Sequence, residues 1–192
     1  MRVLVVLVSK NNPEAVEMTL KSICGLNSDN FGVLIVDSSD SQQIREIVQN
    51  KNFDFEINYL WTPPLGVYDA MNKAIETSNE DDYIWFLNPG DRLTNLNSYQ
   101  AFVRQIEESK VQWAYAQAIY DVENQVLSKP FPREDHALHR LGLFNGDNPI
   151  SHQAILAKVS TLRECGLFDV KYKIASDIDL ILKLISDRRA HV

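Results

Sequence analysis

Asp91 closes the turn Asn88-Pro89-Gly90-Asp91 directly after the apolar run Tyr83-Ile84-Trp85-Phe86-Leu87. An open α/β sheet places its chemistry at the carboxyl ends of its strands. A carboxylate there suits Mg2+ or Mn2+, which one carboxylate, waters and two phosphate oxygens can hold while a diphosphate departs. Fixed φ at Pro89 and free φ at Gly90 also make a plain turn sufficient. Asp37 follows Leu34-Ile35-Val36 in the same way and can accept hydrogen bonds from a nucleobase or ribose, with Ser38 and Ser39 adding short polar groups. A turn or helix cap explains it equally. Asp177 can take a proton from an attacking hydroxyl as a general base, although Ser176 or Asp177 can equally cap the next helix.

The segment Gly66-Val67-Tyr68-Asp69-Ala70-Met71-Asn72-Lys73-Ala74-Ile75 predicts a helix with Val67, Met71, Ala74 and Ile75 toward the core. Asp69, Asn72 and Lys73 lie on or beside a different face, and the helix dipole favours Asp69 near the N-terminus. An ordinary amphipathic helix has the same pattern. His152, between Ser151 and Gln153, can bind a phosphate, complete a metal sphere or serve as a hydrogen-bonded structural residue. There is no H-E-x-x-H pair, G-x-S-x-G elbow, P-loop or G-x-G-x-x-G turn, which disfavours the corresponding enzyme classes.

These residues need a frame, and the pattern supplies one. Val3–Val8 is a continuous apolar run, as in a strand covered on both faces. Asn12, Pro13, Val16, Leu20 and Ile23 give a capped helix with an apolar stripe. Strands at Val33–Val36, Ile57–Leu60 and Tyr83–Leu87 alternate with helices through Ile44, Ile47 and Val48 and over Val67–Thr77. The alternation predicts a three-layer α/β/α fold with a mostly parallel sheet. Beyond it the pattern predicts a helix over Ser98–Glu108 and a strand over Trp113–Tyr120. A turn at Asp121–Asn124 then leads to a returning strand at Gln125–Ser128. Pro130–Asn148, with His136, His139 and Arg140, is irregular. Ser151–Leu156 reads as a strand, and Lys158–Glu164 and Asp177–Ser186 as helices. No linker or repeat divides the chain, so a single domain over residues 1–192 is expected.

With 192 residues and 45% hydrophobic composition, the chain can bury one substantial core. Its net charge of -7 argues against a broad nucleic-acid surface, which collects Lys and Arg. Cys24 and Cys165 form no C-x-x-C pair and are expected to be buried free thiols, in keeping with a reducing compartment. The opening apolar run is too short for a membrane span and lacks a cleavage region.

Taken in order, Val3–Ser9, Leu34–Asp40, Gly66–Ile75, Phe86–Asp91, Ser151–Gln153 and Phe168–Leu180 resemble the GT-A glycosyltransferases of family 2. The resemblance is to small bacterial enzymes of polysaccharide and lipopolysaccharide assembly, and the Gly66–Ile75 helix is its most specific piece. It implies inverting transfer from a nucleotide-activated sugar, UDP-linked by default, to a hydroxyl on a saccharide or lipid-linked saccharide. Asp37 falls at the family's base-contacting aspartate, Asp69 at an aspartate near the nucleotide, Asp91 at the metal ligand and Asp177 at the catalytic base. His152 and Gln153 match the pair near the donor and acceptor pocket. Ser9, Lys73, Asn88 and Gly90 fall in the segments implied to surround the nucleotide sugar. Asn88 and Gly90 replace carboxylates found in many members, so the metal is expected to bind weakly without the diphosphate. Ser176 stands where many members have Glu.

The resemblance also implies a cytoplasmic protein, at most peripherally attached to the inner face of the plasma membrane. Members continue beyond the base helix, whereas this sequence ends at Arg188–Val192, as a compact or a truncated version would. Two other readings share features of the chain. A non-catalytic nucleotide-sugar-binding or interaction domain would fit the reduced acidic turn, and a nucleotidyltransferase would need more basic residues after the first strand than Lys10.

Overall fold

The computed structural model describes residues 1–26, 30–122, 125–126 and 150–186. Its centre is a six-stranded sheet built from β1 (Val3–Ser9), β2 (Phe31–Asp37), β3 (Glu56–Trp61), β4 (Tyr83–Leu87), β5 (Trp113–Tyr115) and β8 (Ile155–Lys158). The spatial order is β3-β2-β1-β4-β8-β5. The first four pair in parallel, while β8 runs antiparallel to both β4 and β5. A separate hairpin joins β6 (Asp121–Val122) and β7 (Gln125–Val126).

The continuous apolar composition of β1 has a direct cause. Leu4 and Val6 pack into one core, and Val3, Val5 and Leu7 into another on the opposite face. The second core is closed by α1 (Pro13–Ser22), α2 (Gln43–Asn50) and α4 (Leu96–Ser109), through Val16, Leu20, Ile44 and Ile106. The first is closed by α3 (Val67–Thr77), α5 (Val159–Glu164) and α6 (Ser176–Ser186), through Met71, Ile75, Leu162, Leu180 and Leu184. The result is the three-layer α/β/α arrangement that the alternating pattern predicts.

Local chemistry sets the helix ends. Asn12 caps α1 by accepting from the Ala15 N–H, with Pro13 at the first position. The α3 helix begins after Gly66, whose φ of 135° lies where side chains are disfavoured. At its other end Arg163 donates to the carbonyls of Ile75 at 2.9 Å, Glu76 at 3.1 Å and Ser78 at 2.8 Å. One guanidinium from α5 thus satisfies carbonyls that the helix leaves open.

Several expectations need correction. The strand expected over Trp113–Tyr120 ends at Tyr115, because its partner β8 begins at Ile155, directly opposite. Ile119 and Tyr120 are exposed, and Asp121–Val122, expected in the turn, instead form the strand that pairs with Gln125–Val126, where the returning strand is expected to begin. His152–Ala154 is a 3-10 turn instead of the start of a strand, held by the Trp85 indole N–H donating to the Gln153 carbonyl at 2.5 Å. Val67 is exposed, the inward face of α3 being Ala70, Met71, Ala74 and Ile75. Cys24 is exposed and Cys165 half-buried, and neither is in a disulfide. The irregular segment with His136, His139 and Arg140, part of the turn and returning strand at 123–124 and 127–128, and the end at Arg188–Val192 lie outside the described residues.

Arg163→Met is expected to lower unfolding stability by about 1.5–3 kcal/mol, the scale of charge-assisted hydrogen bonds lost from a helix end. Urea denaturation measures it, and Arg163→Lys should recover little, since an ammonium cannot reproduce the planar fork.

Candidate active site

The parallel register aligns Ser9 with Asp37, and Val8 and Leu7 with the ends of β2 and β4. The carboxyl ends of three strands therefore face one rim. On this rim the Asn88–Asp91 turn is held from within and from outside. Asp91 N–H donates to the Asn88 carbonyl at 2.9 Å, and Asp91 Oδ2 accepts from Asn88 N–H at 2.9 Å. Gly90, at φ 102°, donates its N–H to Thr19 Oγ1 at 2.9 Å, and that hydroxyl donates to the Asp91 carbonyl at 2.9 Å. Thr19 of α1 is fully buried and fixes the turn's position on the sheet.

Burial pushes the Asp91 carboxyl above its ordinary range, against smaller opposing effects from the Asn88 backbone, the His152 charge and a hydrogen bond to Gln153. It is a carboxylate short of positive company. One such group matches the donor set of a hard divalent ion that keeps waters and phosphate oxygens for the rest of its shell. Among the described residues no group of three or more His, Cys, Asp or Glu is assembled to hold a metal.

Asp177 stands on the first turn of α6, at the other side of the rim. Its Oδ1 accepts from the Tyr68 hydroxyl at 3.1 Å, and its Oδ2 lies 3.1 Å from His152 Nδ1. These contacts, His152 first, hold the Asp177 carboxyl below the usual carboxylate range although burial opposes them. His152 Nε2 is buried and has no partner among the described residues. Leaving such an atom unpaired costs about 1–3 kcal/mol and calls for an explanation in function.

Tyr68 is itself held in place. Its ring stacks on Phe168 at 5.5 Å between centroids, and Phe168 meets Phe86 edge to face at 5.6 Å. Asn72, one helical turn beyond Tyr68, donates to the Phe168 carbonyl at 2.8 Å and accepts from its N–H at 2.9 Å. Burial and the neighbouring Asp177 raise the Tyr68 phenol, so it remains a donor at neutral pH.

The remaining sequence candidates are distributed unevenly. Asp37 is fully buried, its Oδ1 accepting from the Ser39 N–H at 2.9 Å and hydroxyl at 2.5 Å, and its Oδ2 from the Tyr59 hydroxyl at 2.7 Å. Tyr59 is pushed up to about 12, by burial first and then by this bond. Ser9 is buried beside it, and its hydroxyl has no partner among the described residues. Asp69 lies half-buried in the first turn of α3, whereas Lys73 is exposed and paired with Glu76 at 3.2 Å. Gln153 joins Asp91 by its side chain, Asn88 and Gly90 shape the turn, and His152 meets Asp177. Ser176 is fully buried, and its hydroxyl has no partner among the described residues, so it does not cap α6.

The profile of glycosyl transferase family 2 matches residues 4–154, which include the strand ends, the Asp91 turn and the His152-Gln153 pair. The chain belongs to that family. No curated protein sequence matches it at a significant level. Among solved structures, a 1–349 fragment of S. aureus TarS superposes with a TM-score of 0.69 at 18% identity, covering 100% of this chain and 56% of its own. The same fragment with bound UDP-GlcNAc gives 0.66 at 18% identity, with 96% and 52% coverage. The mannosyltransferase PcManGT from Pyrobaculum calidifontis, in complex with GDP-Man and Mn2+, gives 0.66 at 16% identity, with 93% and 50% coverage. The chain thus spans about half the length of these structures, and at such identities the likeness concerns the fold.

In this family 2 chain, sequence reasoning missed Tyr68, Asn72 and Thr19. The first two carry a signal, a polar i, i+4 pair beside the Asp69–Lys73 pair on the same helix. Thr19 sits in an apolar stripe, and nothing local marks it.

The two acidic groups respond to pH in opposite senses. Asp177, depressed in the native state, stabilises the fold above the ordinary carboxylate range, and this contribution is lost as pH falls through its lowered value. Tyr68→Phe should weaken it and bring acid unfolding to a higher pH. Asp91, raised by burial, is destabilising while ionised. Asp91→Asn should therefore raise the melting temperature of the metal-free protein at pH 7, measured by calorimetric scanning.

Proposed function

We propose that this chain is the catalytic domain of an inverting glycosyltransferase. It moves a sugar from a nucleotide-diphosphate donor, UDP-linked by default, to a hydroxyl of a saccharide or lipid-linked saccharide. The setting is cell-surface polysaccharide or lipopolysaccharide synthesis at the cytoplasmic face of the membrane, with any attachment peripheral. No described helix is long and apolar enough to cross a bilayer. The observation that carries the reading is the spacing of two acidic centres on one rim. Asp91 and Asp177 are bridged by the consecutive residues His152 and Gln153, one touching each carboxylate.

Asp91 would hold Mg2+ or Mn2+ at the donor diphosphate, where the ion supplies charge neutralisation of the leaving group. The Asn88–Gly90 backbone and Thr19 keep the Asp91 carboxylate in place. Ser9, Asp37 and Asp69 line the nucleotide side, Asp37 acting through the Ser39 and Tyr59 groups that it orders. Lys73, exposed on α3, contributes positive charge at the periphery. On the acceptor side, Asp177, held by Tyr68 and His152, is the general base that takes the hydroxyl proton.

UDP binding in TarS and GDP-Man with Mn2+ in PcManGT are consistent with a nucleotide-sugar donor for this fold. The sealed Asp37 and the single-carboxylate turn favour a second reading, a donor-binding domain without transfer, which predicts UDP binding but no UDP release.

Calorimetric titration with UDP-sugars, with and without Mn2+, tests the donor half. Selective binding strengthened by Mn2+ is expected, and Asp91→Asn should remove the Mn2+ dependence. Asp177→Asn should leave nucleotide binding intact and slow turnover by about 10²–10⁴-fold, the usual contribution of general base catalysis. Unchanged turnover in Asp177→Asn would contradict the assignment.

A further inference from the structure

Apolar side chains left in water are gathered at one end of the molecule. Among the described residues, the exposed large hydrophobic side chains come from the β3–α3 loop (within 61–67), the stretch after β5 (119–120), the strap leading into α6 (170–174) and Met18, which lies beside Gly90. Each of these places belongs to the rim that carries Asp91 and Asp177. The β3–α3 loop leaves the carboxyl end of β3, where Trp61 is in register with Asp37. Strand β5 runs parallel to β4, since both are antiparallel to β8, so the chain after Tyr115 leaves at the same end. Arg92, next to Asp91, reaches Asp121 there. The strap runs into the first turn of α6, which carries Asp177. Scattered single hydrophobics are ordinary, whereas a collar around one opening marks an interaction surface.

The chemistry of the collar selects its partner. Its outermost side chains are aliphatic, with Ile174 84% and Leu65 74% exposed. Such tips offer a sugar ring no aromatic face and suit hydrocarbon instead. Trp61 and Tyr172 are half-exposed amphipathic rings, of the kind that settle where a membrane meets water. The Trp61 indole N–H donates to the Ser39 carbonyl at 3.1 Å, so that ring is fixed in the collar. The strap reads Val170-Lys171-Tyr172-Lys173-Ile174, with two exposed lysines and no acid, and the 61–67 loop has no charged residue. Asp121 is paired with Arg92. In a chain of net charge -7, the most exposed apolar stretches are thus the ones cleared of negative charge, as an anionic headgroup layer requires. Lysine stems can lie along the apolar strip while their ammonium heads reach lipid phosphates.

We propose that this collar is a peripheral docking face for an anionic lipid bilayer, with the rim of the sheet turned toward the headgroups. Leu65, Val170 and Ile174 enter the acyl boundary, Trp61 and Tyr172 lie at the interface, and Lys171 and Lys173 engage lipid phosphates. The docked protein holds Asp177 over the membrane surface, so a lipid-linked saccharide reaches it without leaving the bilayer. That consequence rests on the glycosyltransferase reading given above, whereas the docking face rests on the surface itself.

Vesicle binding by the whole chain tests the proposal. Co-sedimentation is expected with vesicles of phosphatidylglycerol and phosphatidylcholine in equal parts, and about tenfold weaker with phosphatidylcholine alone, each lysine near an anionic surface contributing about fivefold. Val170→Ser with Ile174→Ser, and separately Lys171→Glu with Lys173→Glu, should each weaken binding by about tenfold or more. Both double variants should keep the native circular dichroism and a UDP affinity within about twofold of the native one. Brominated phosphatidylcholine in the vesicles should quench tryptophan emission, and Trp61→Phe should remove most of that quenching. Absence of vesicle binding, binding unchanged in either double variant, or sedimentation equilibrium showing a dimer that the same substitutions abolish would overturn the docking face and leave the donor reading intact. Vesicle binding by a native chain that binds no UDP with Mn2+ would instead overturn the donor reading and leave the docking face standing.

Discussion

The Asp177 carboxylate ties together three segments that chain connectivity leaves apart: the start of α3 through Tyr68, the turn before β8 through His152, and the start of α6. Each partner is in turn held by the core. Tyr68 stacks on Phe168, which Asn72 clamps by its backbone, and the His152 turn is tied to β4 through Trp85. A network of this kind is costly when partly satisfied and rigid when complete. Here every member but His152 Nε2 has a partner among the described residues. That buried nitrogen is therefore a defined point in an otherwise fixed assembly.

The sheet makes such an assembly affordable. Parallel strands covered on both faces leave their carboxyl ends in register, and polar groups gather at that rim because the interior has no place for them. The rim divides by burial and charge. On one side Asp91 is desolvated and short of positive charge, while on the other Asp177 is held ionised by donors. Two carboxylates pushed in opposite directions can take different tasks, one toward a cation and one toward a proton.

Much of this was legible in the sequence where local pattern decides structure. The unbroken apolar run of β1 reflects cores on both faces, and Gly66 with the stripe behind it marks α3 at Val67–Thr77. Asp91 and Asp177 were legible because each directly follows or opens an element that a pattern defines. The pairing of Asp177 with His152 was not, since the residues lie 25 apart and the turn bearing His152 is set by a tertiary bond from Trp85. The sealing of Asp37 was hidden for the same reason. Tyr59 reads as an alternating strand residue, and only the register of β2 with β3 brings its hydroxyl within 2.7 Å of that carboxylate.

The central claim is that Asp91 is the protein's ligand to a divalent ion at a nucleotide diphosphate. A crystal structure of the chain with UDP and Mg2+ tests it most directly. The account predicts the ion about 2.1 Å from an Asp91 carboxylate oxygen, bridging to the diphosphate over the ends of β1 and β4. UDP bound with the ion coordinated elsewhere and Asp91 still turned to the Asn88 N–H and Gln153 would contradict it.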